Sequence, residues 1–138
     1  MKSVLDFLDG HGSSNELLIL GQCPSSNTKP LKNGTYDRLM KWCNEVNISM
    51  FAFHNVIPNK INSYDINDVD EDALYEAVQG KTIVIALGGF VERVCKKYKI
   101  DCYKIDHPSP RNRNLNDPKY EKQMLKKLKK YLDDNRNN

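Results

Sequence analysis

Three stretches carry side chains suited to chemistry. The first is Asp106-His107-Pro108-Ser109-Pro110-Arg111-Asn112-Arg113. Its prolines fix the loop backbone and leave His107 little freedom. A neutral imidazole held in this way can donate a hydrogen bond to an oxygen that gains negative charge. Arg111 and Arg113 can meet phosphates, and Ser109 and Asn112 beside them complete a nucleic-acid-binding set. A rigid proline turn with an idle histidine would use the same residues. The second stretch is Gly21-Gln22-Cys23-Pro24-Ser25-Ser26-Asn27. A glycine after an apolar run allows close backbone approach, and the hydroxyls and amides that follow could hold an anion or a base edge. A polar strand-to-helix connection fits these residues equally well. The third is Asn55, whose amide can donate and accept at once; capping a turn is its plainer use.

The elements around these residues decide whether they can meet. Leu17-Leu18-Ile19-Leu20 is a continuous apolar run that ends at Gly21, the pattern of a strand buried on both faces of a parallel sheet. Further strands are expected at Ile48–Phe53, at Thr82–Leu87 and, more weakly, at Asp101–Ile105. Helices are expected at Met1–Asp9, at Tyr36–Val46 through Tyr36, Leu39, Met40, Cys43 and Val46, and at Asp70–Val78, closed by Gly80. Gly88-Gly89 turns the chain into another at Phe90–Tyr98. Asp117-Pro118 starts the last helix, with Asp as cap and Pro at the first position; Tyr120, Met124, Leu128 and Tyr131 are its expected core face. Alternation of this kind predicts a three-layer α/β/α sandwich around a four-stranded parallel sheet. Ligands bind such sheets outside the carboxyl ends of the strands. The segments there are Gly21–Asn27, His54–Pro58, Gly88-Gly89 and His107–Arg113.

Bulk properties bound the class. With 138 residues, 39% hydrophobic and 28% charged, the chain reads as one globular domain over residues 1–138. It has no apolar run of membrane-spanning length. Lys2, Asp6 and Asp9 stand where a leader would need an apolar stretch, so a cytoplasmic protein with no membrane partner is expected. The four cysteines, Cys23, Cys43, Cys95 and Cys102, form no CxxC pair and read as free thiols. Net charge is +3, unevenly spread. Arg111, Arg113, Lys119, Lys122, Lys126, Lys127, Lys129 and Lys130 make the carboxyl-terminal part basic, while acidic residues gather in Asp65–Glu76. A basic end beside a site suits a polyanion; a solvated helix face has the same composition.

Gly21-Gln22-Cys23-Pro24 after the first strand and His107-Pro108-Ser109-Pro110 after the last together resemble the motif pair of the uracil-DNA glycosylase superfamily, Gly-x-[Asp/Asn]-Pro and His-Pro-Ser-Pro. The resemblance in layout runs from about Leu17 to Leu132, and the two loops are its sharp matches. It implies a base-excision repair hydrolase without metal or other cofactor. Such an enzyme flips a base out of DNA and hydrolyses its N-glycosidic bond. His107 would stabilise the leaving base. Cys23 occupies the position of the acid or amide that positions water or steadies the sugar cation. Gly21, Gln22, Ser25 and Asn55 would bind the base. The chain departs from the pattern at Cys23, a largely neutral thiol at pH 7. It departs again at Ser25, where the best-known branch has a thymine-excluding Tyr, and at Arg111, where that branch has a Leu wedge. Two function classes stay open: a glycosylase for uracil or a modified pyrimidine, and a protein of this fold that holds nucleic acid, a nucleotide or a base without cleaving it. A generic nucleotide-binding domain would rest on Gly88-Gly89 alone, without GxGxxG or a P-loop.

Overall fold

The computed structural model describes residues 16–22, 34–58, 63–108 and 112–136. Among them lie four strands, β1 (Leu17–Gly21), β2 (Ala52–Asn55), β3 (Ile83–Leu87) and β4 (Tyr103–Ile105), and four helices, α1 (Gly34–Glu45), α2 (Glu71–Val78), α3 (Gly89–Lys97) and α4 (Pro118–Arg136). The strands form one sheet in the order β2-β1-β3-β4, and every pair is parallel. β1 and β3 are buried at every position, because they are the central strands and both their faces are covered. An unbroken apolar run is what such a strand needs.

Alternate side chains feed two apolar layers. Leu17, Ile19, Ile83 and Ile85 pack with Leu39 and Trp42 of α1 and with Leu125, Leu128 and Leu132 of α4. Leu18, Leu20, Val84 and Ala86 pack with Leu74 of α2 and with Val91, Val94 and Cys95 of α3. Helices therefore cover both faces, and the fold is the α/β/α sandwich that the alternation of elements predicts. The pairing of layers follows from connection handedness. The β1-to-β2 step runs one way along the sheet and the later steps run the other, so right-handed crossovers put α1 on one face and α2 and α3 on the opposite one. No described helix is long and apolar enough to cross a membrane.

Three expectations need correction, and one lies outside the described residues. β2 begins at Ala52, not at Ile48, because Ile48 belongs to the end of α1. Asn47 takes a left-handed φ of 63°, and the Ile48 amide donates to the Cys43 carbonyl at 2.8 Å. This is the Schellman closure of a helix, in which the apolar residue packs back on the last turn. In α4 the core face is Leu125, Leu128 and Leu132, with Met124 and Tyr131 at its margin; Tyr120 is 37% exposed, because its hydroxyl reaches Asp106 instead. Trp42, outside the expected apolar face of α1, is 1% exposed and donates its indole N–H to Glu121 of α4 at 3.0 Å. The helix expected at Met1–Asp9 falls outside the described residues.

Candidate functional site at the carboxyl edge of the sheet

The strand order reverses direction between β1 and β3, and sheets of this kind bind ligands beyond the carboxyl ends of the strands at such a switch point. Gly21 and Gln22 lie on one side of it and Gly88 on the other. Asn55 ends β2 and His107 follows β4 at the flanks. Gly21 pairs with Asn55 in the sheet register. A Cβ at position 21 would stand 2.5 Å from Asn55 Oδ1 and 2.6 Å from Phe53 Cζ, so only glycine lets the Asn55 side chain lie there. Asn55 is the buried polar residue among those described, 8% exposed. The pairing continues past the strands, with the Val56 amide donating to the Gly21 carbonyl at 3.0 Å and Ile57 to that of Gln22 at 2.9 Å. The Gln22 amide donates to the Tyr64 hydroxyl. Tyr64 meets Phe90 edge to face at 5.2 Å, and Arg93 lies over the Phe90 ring at 5.7 Å.

On the other flank, Gly88 has a φ of 92°, and a Cβ there would lie 3.2 Å from His107 Cβ. Glycine is thus required both by the backbone and by the close approach of His107. The Gly88 amide donates to the Ile105 carbonyl at 2.8 Å, which locks the end of β3 to the residue that leads into His107. Burial lowers the His107 pKa from its ordinary 6.5, because a low-dielectric surrounding disfavours the imidazolium. The ring is therefore neutral at physiological pH, the form that offers one donor and one acceptor.

A clasp holds the loop that carries His107. The Asn112 amide nitrogen donates to Asp106 Oδ2 at 3.0 Å and to the His107 carbonyl at 3.4 Å. The Asn112 Oδ1 accepts from the Asn114 amide at 3.1 Å and caps the short 3-10 turn Arg113–Asn116. The Tyr120 hydroxyl donates to Asp106 Oδ1 at 2.7 Å. Asn112, expected to face nucleic acid, is engaged within the protein at each of these atoms. Arg113 is exposed on the turn.

Gly21, Gln22, Asn55 and His107 thus share one edge of the sheet. Gly21 and Asn55 touch; His107 stands three strand spacings from Asn55, about 14 Å between backbones. Cys23, Ser25, Ser109 and Arg111 fall outside the described residues. The sequence reading missed Tyr64, Phe90 and Tyr120 as partners of the site, and it gave Asp106 no role of its own. Phe90 follows Gly88-Gly89 directly, which was a usable signal; Tyr64 sits in a polar stretch that gives none.

The fold and this edge define a class: a doubly wound parallel α/β protein with polar residues at its topological switch point. Compared with known proteins, the chain matches no family model and no curated protein sequence.

Proposed function

We propose that the chain is a glycosylase-like protein that takes uracil or a modified pyrimidine of DNA at this edge and hydrolyses its N-glycosidic bond. The observation that carries this reading is His107, seated on Gly88 at the carboxyl edge with its imidazole kept neutral by burial. The fixed Asn55 amide across the switch point supports it. In this reading Asn55 pairs with the edge of the flipped base. The C1′–N1 bond breaks and its electron pair moves into the ring, where the charge spreads onto an exocyclic carbonyl oxygen of the base. His107 donates a hydrogen bond to that oxygen. Water adds at C1′ and its proton passes to solvent. A neutral donor suits a base that leaves as an anion, because the donor is aimed where charge develops and needs no reorganisation.

A second reading, binding without cleavage, is favoured by Cys23, which brings neither a carboxylate nor an amide to the position that handles water. One experiment separates the two. Oligonucleotides with uracil, mismatched thymine or hydroxymethyluracil are incubated with protein, abasic sites are cleaved with alkali, and binding is titrated in parallel. Cleavage is expected to fall on the order of 100- to 1000-fold in His107→Ala, the usual cost of losing one preorganised donor, and to rise in Cys23→Asp. Binding without cleavage by wild type and Cys23→Asp alike would leave only the second reading. Neither binding nor cleavage would remove both.

A further inference from the structure

At the opposite end of the molecule two cysteines are brought together by the way α3 ends. Lys99 takes a left-handed φ of 58°, and the Ile100 amide donates to the Cys95 carbonyl at 2.8 Å. This Schellman closure turns the chain back along the last turn of the helix. Tyr103 and Ile105 of β4 pack toward α4, so by strand alternation Cys102 points the other way, toward α3. Cys102 joins the same apolar layer as Cys95, close enough for hydrogen bonding between the two thiols to shift both pKa values. Both are free, Cys95 fully buried and Cys102 partly open to solvent.

We propose that Cys95 and Cys102 form a reversible dithiol–disulfide couple, with Cys102 the sulfur attacked first by a peroxide and Cys95 the sulfur that resolves it. Hydrogen bonding with Cys95 is the main influence that lowers the Cys102 pKa, helped by Lys96 and opposed by burial, Glu92 and Asp101. The same interaction, together with burial, raises that of Cys95. The thiolate is the nucleophile, so the two sulfurs are unequal before any oxidant arrives. The Cys102 thiolate attacks one peroxide oxygen; the O–O bond breaks, the other oxygen leaves as hydroxide and takes a proton to become water, and Cys102 becomes a sulfenic acid. That step removes the anionic acceptor that held the Cys95 proton. Cys95 then loses its proton and attacks the Cys102 sulfur. Hydroxide leaves and takes up that proton as water, and the S–S bond forms. A thiol reductant reverses the reaction by exchange.

Lysines between the two cysteines make the test direct. Trypsin cuts after Lys96, Lys97 and Lys99, so residues Val94–Lys96 and Ile100–Lys104 become separate peptides. The folded protein is treated with hydrogen peroxide, blocked with an alkylating agent and digested without reductant. The expected product is these two peptides joined, two alkylatable thiols lost, and both restored by dithiothreitol. Cys95→Ser is expected to stop at a Cys102 sulfenic acid that dimedone traps, and Cys102→Ser to form no disulfide. Retention of all thiols after peroxide, a disulfide that maps elsewhere, or oxidation of wild-type Cys102 only to sulfinic acid would each overturn the proposal. The wild-type map stands even if a variant misfolds.

Discussion

His107 shows how one residue ties function to stability. It is half-buried with its Cβ close against Gly88, and burial holds its pKa below 6.5 in the folded protein. The unfolded chain therefore takes up the proton first as pH falls. Between the ordinary value and the lowered one, the unfolded state binds more protons, so stability rises with pH there. The contribution of the neutral ring is fully present above pH 6.5 and is lost as the solution is acidified below it. His107→Gln keeps a polar side chain with no titration. Melting temperatures of wild type and His107→Gln, measured from pH 8 to pH 5, are expected to run parallel above neutrality. Below about pH 6.5 the wild type should fall away faster. Curves that stay parallel to pH 5 would mean that His107 is open to water, and the neutral-donor role would go with it. Residue types and spacing singled out His107 and Gly21 for this edge, and the family resemblance added Asn55. They did not reveal that Asn112 is spent on Asp106 and the His107 carbonyl, because an amide in a basic loop looks the same whether it faces a phosphate or its own backbone.

At the scale of elements, α1 and α3 end in the same way. Cys43 and Cys95 accept from the amides of Ile48 and Ile100, each at 2.8 Å, and Asn47 and Lys99 supply the left-handed residue between, with φ of 63° and 58°. The two positions are not equivalent in cost. Asn visits this conformation readily, whereas Lys pays a steric penalty of roughly 1–2 kcal/mol between Cβ and the carbonyl. Lys99→Gly is therefore expected to stabilise the protein by about 1 kcal/mol after the greater entropy of glycine in the unfolded chain is set against it. Asn47→Gly should change stability by less. Urea denaturation of the two variants checks the order; destabilisation by Lys99→Gly would show that the Lys99 side chain contributes more than its backbone costs. This motif also explains where the elements were legible. β1 and β3 could be read because a central parallel strand leaves an unbroken apolar run. β2 was placed too early because Ile48, apolar for the sake of a helix end, looks like the first residue of a strand. The apolar row of α4 was misread for a related reason: Tyr120 is apolar in most of its surface, yet its hydroxyl partner Asp106 lies on the loop.

Across the whole molecule, the distribution of charge along the carboxyl edge bears on how a polyanion could approach. The acidic stretch serves local structure. Asp65 caps the 3-10 turn Ile66–Asp68, Asp70 caps α2, and Glu71 and Asp72 sit in its first turn, where carboxylates favour the positive end of the helix dipole. The Asp70 amide donates to the Val56 carbonyl at 3.3 Å, which fixes these acids beside β2. Basic residues take the β4 side. Not all the lysines of the carboxyl-terminal part belong there, however. Tyr120 bonds Asp106 just beyond the end of β4, while Tyr131 stacks on Tyr103 at its start, with centroids 4.3 Å apart. α4 therefore runs antiparallel to the strands and carries Lys130 about 16 Å away from Lys119, toward the amino edge, where Lys130 pairs with Asp134 at 3.0 Å. Among the described residues, the expected basic surface beside the site reduces to Arg113, Lys119 and Lys122. If the proposed DNA substrate docks at the carboxyl edge, its phosphates meet these residues from the β4 side, away from the acids. The logarithm of the binding constant should fall linearly with the logarithm of salt concentration, with a slope of about 0.9 per phosphate neutralised. Combined Arg113→Ala, Lys119→Ala and Lys122→Ala substitutions are expected to reduce that slope by roughly 2 to 3, and Lys129→Ala with Lys130→Ala to leave it nearly unchanged. Fluorescence anisotropy of a labelled oligonucleotide between low and moderate salt measures both. Equal loss of slope in the two variants would mean that the nucleic acid follows the length of α4 rather than the edge that holds His107, and binding without salt dependence would point to a free base as the ligand.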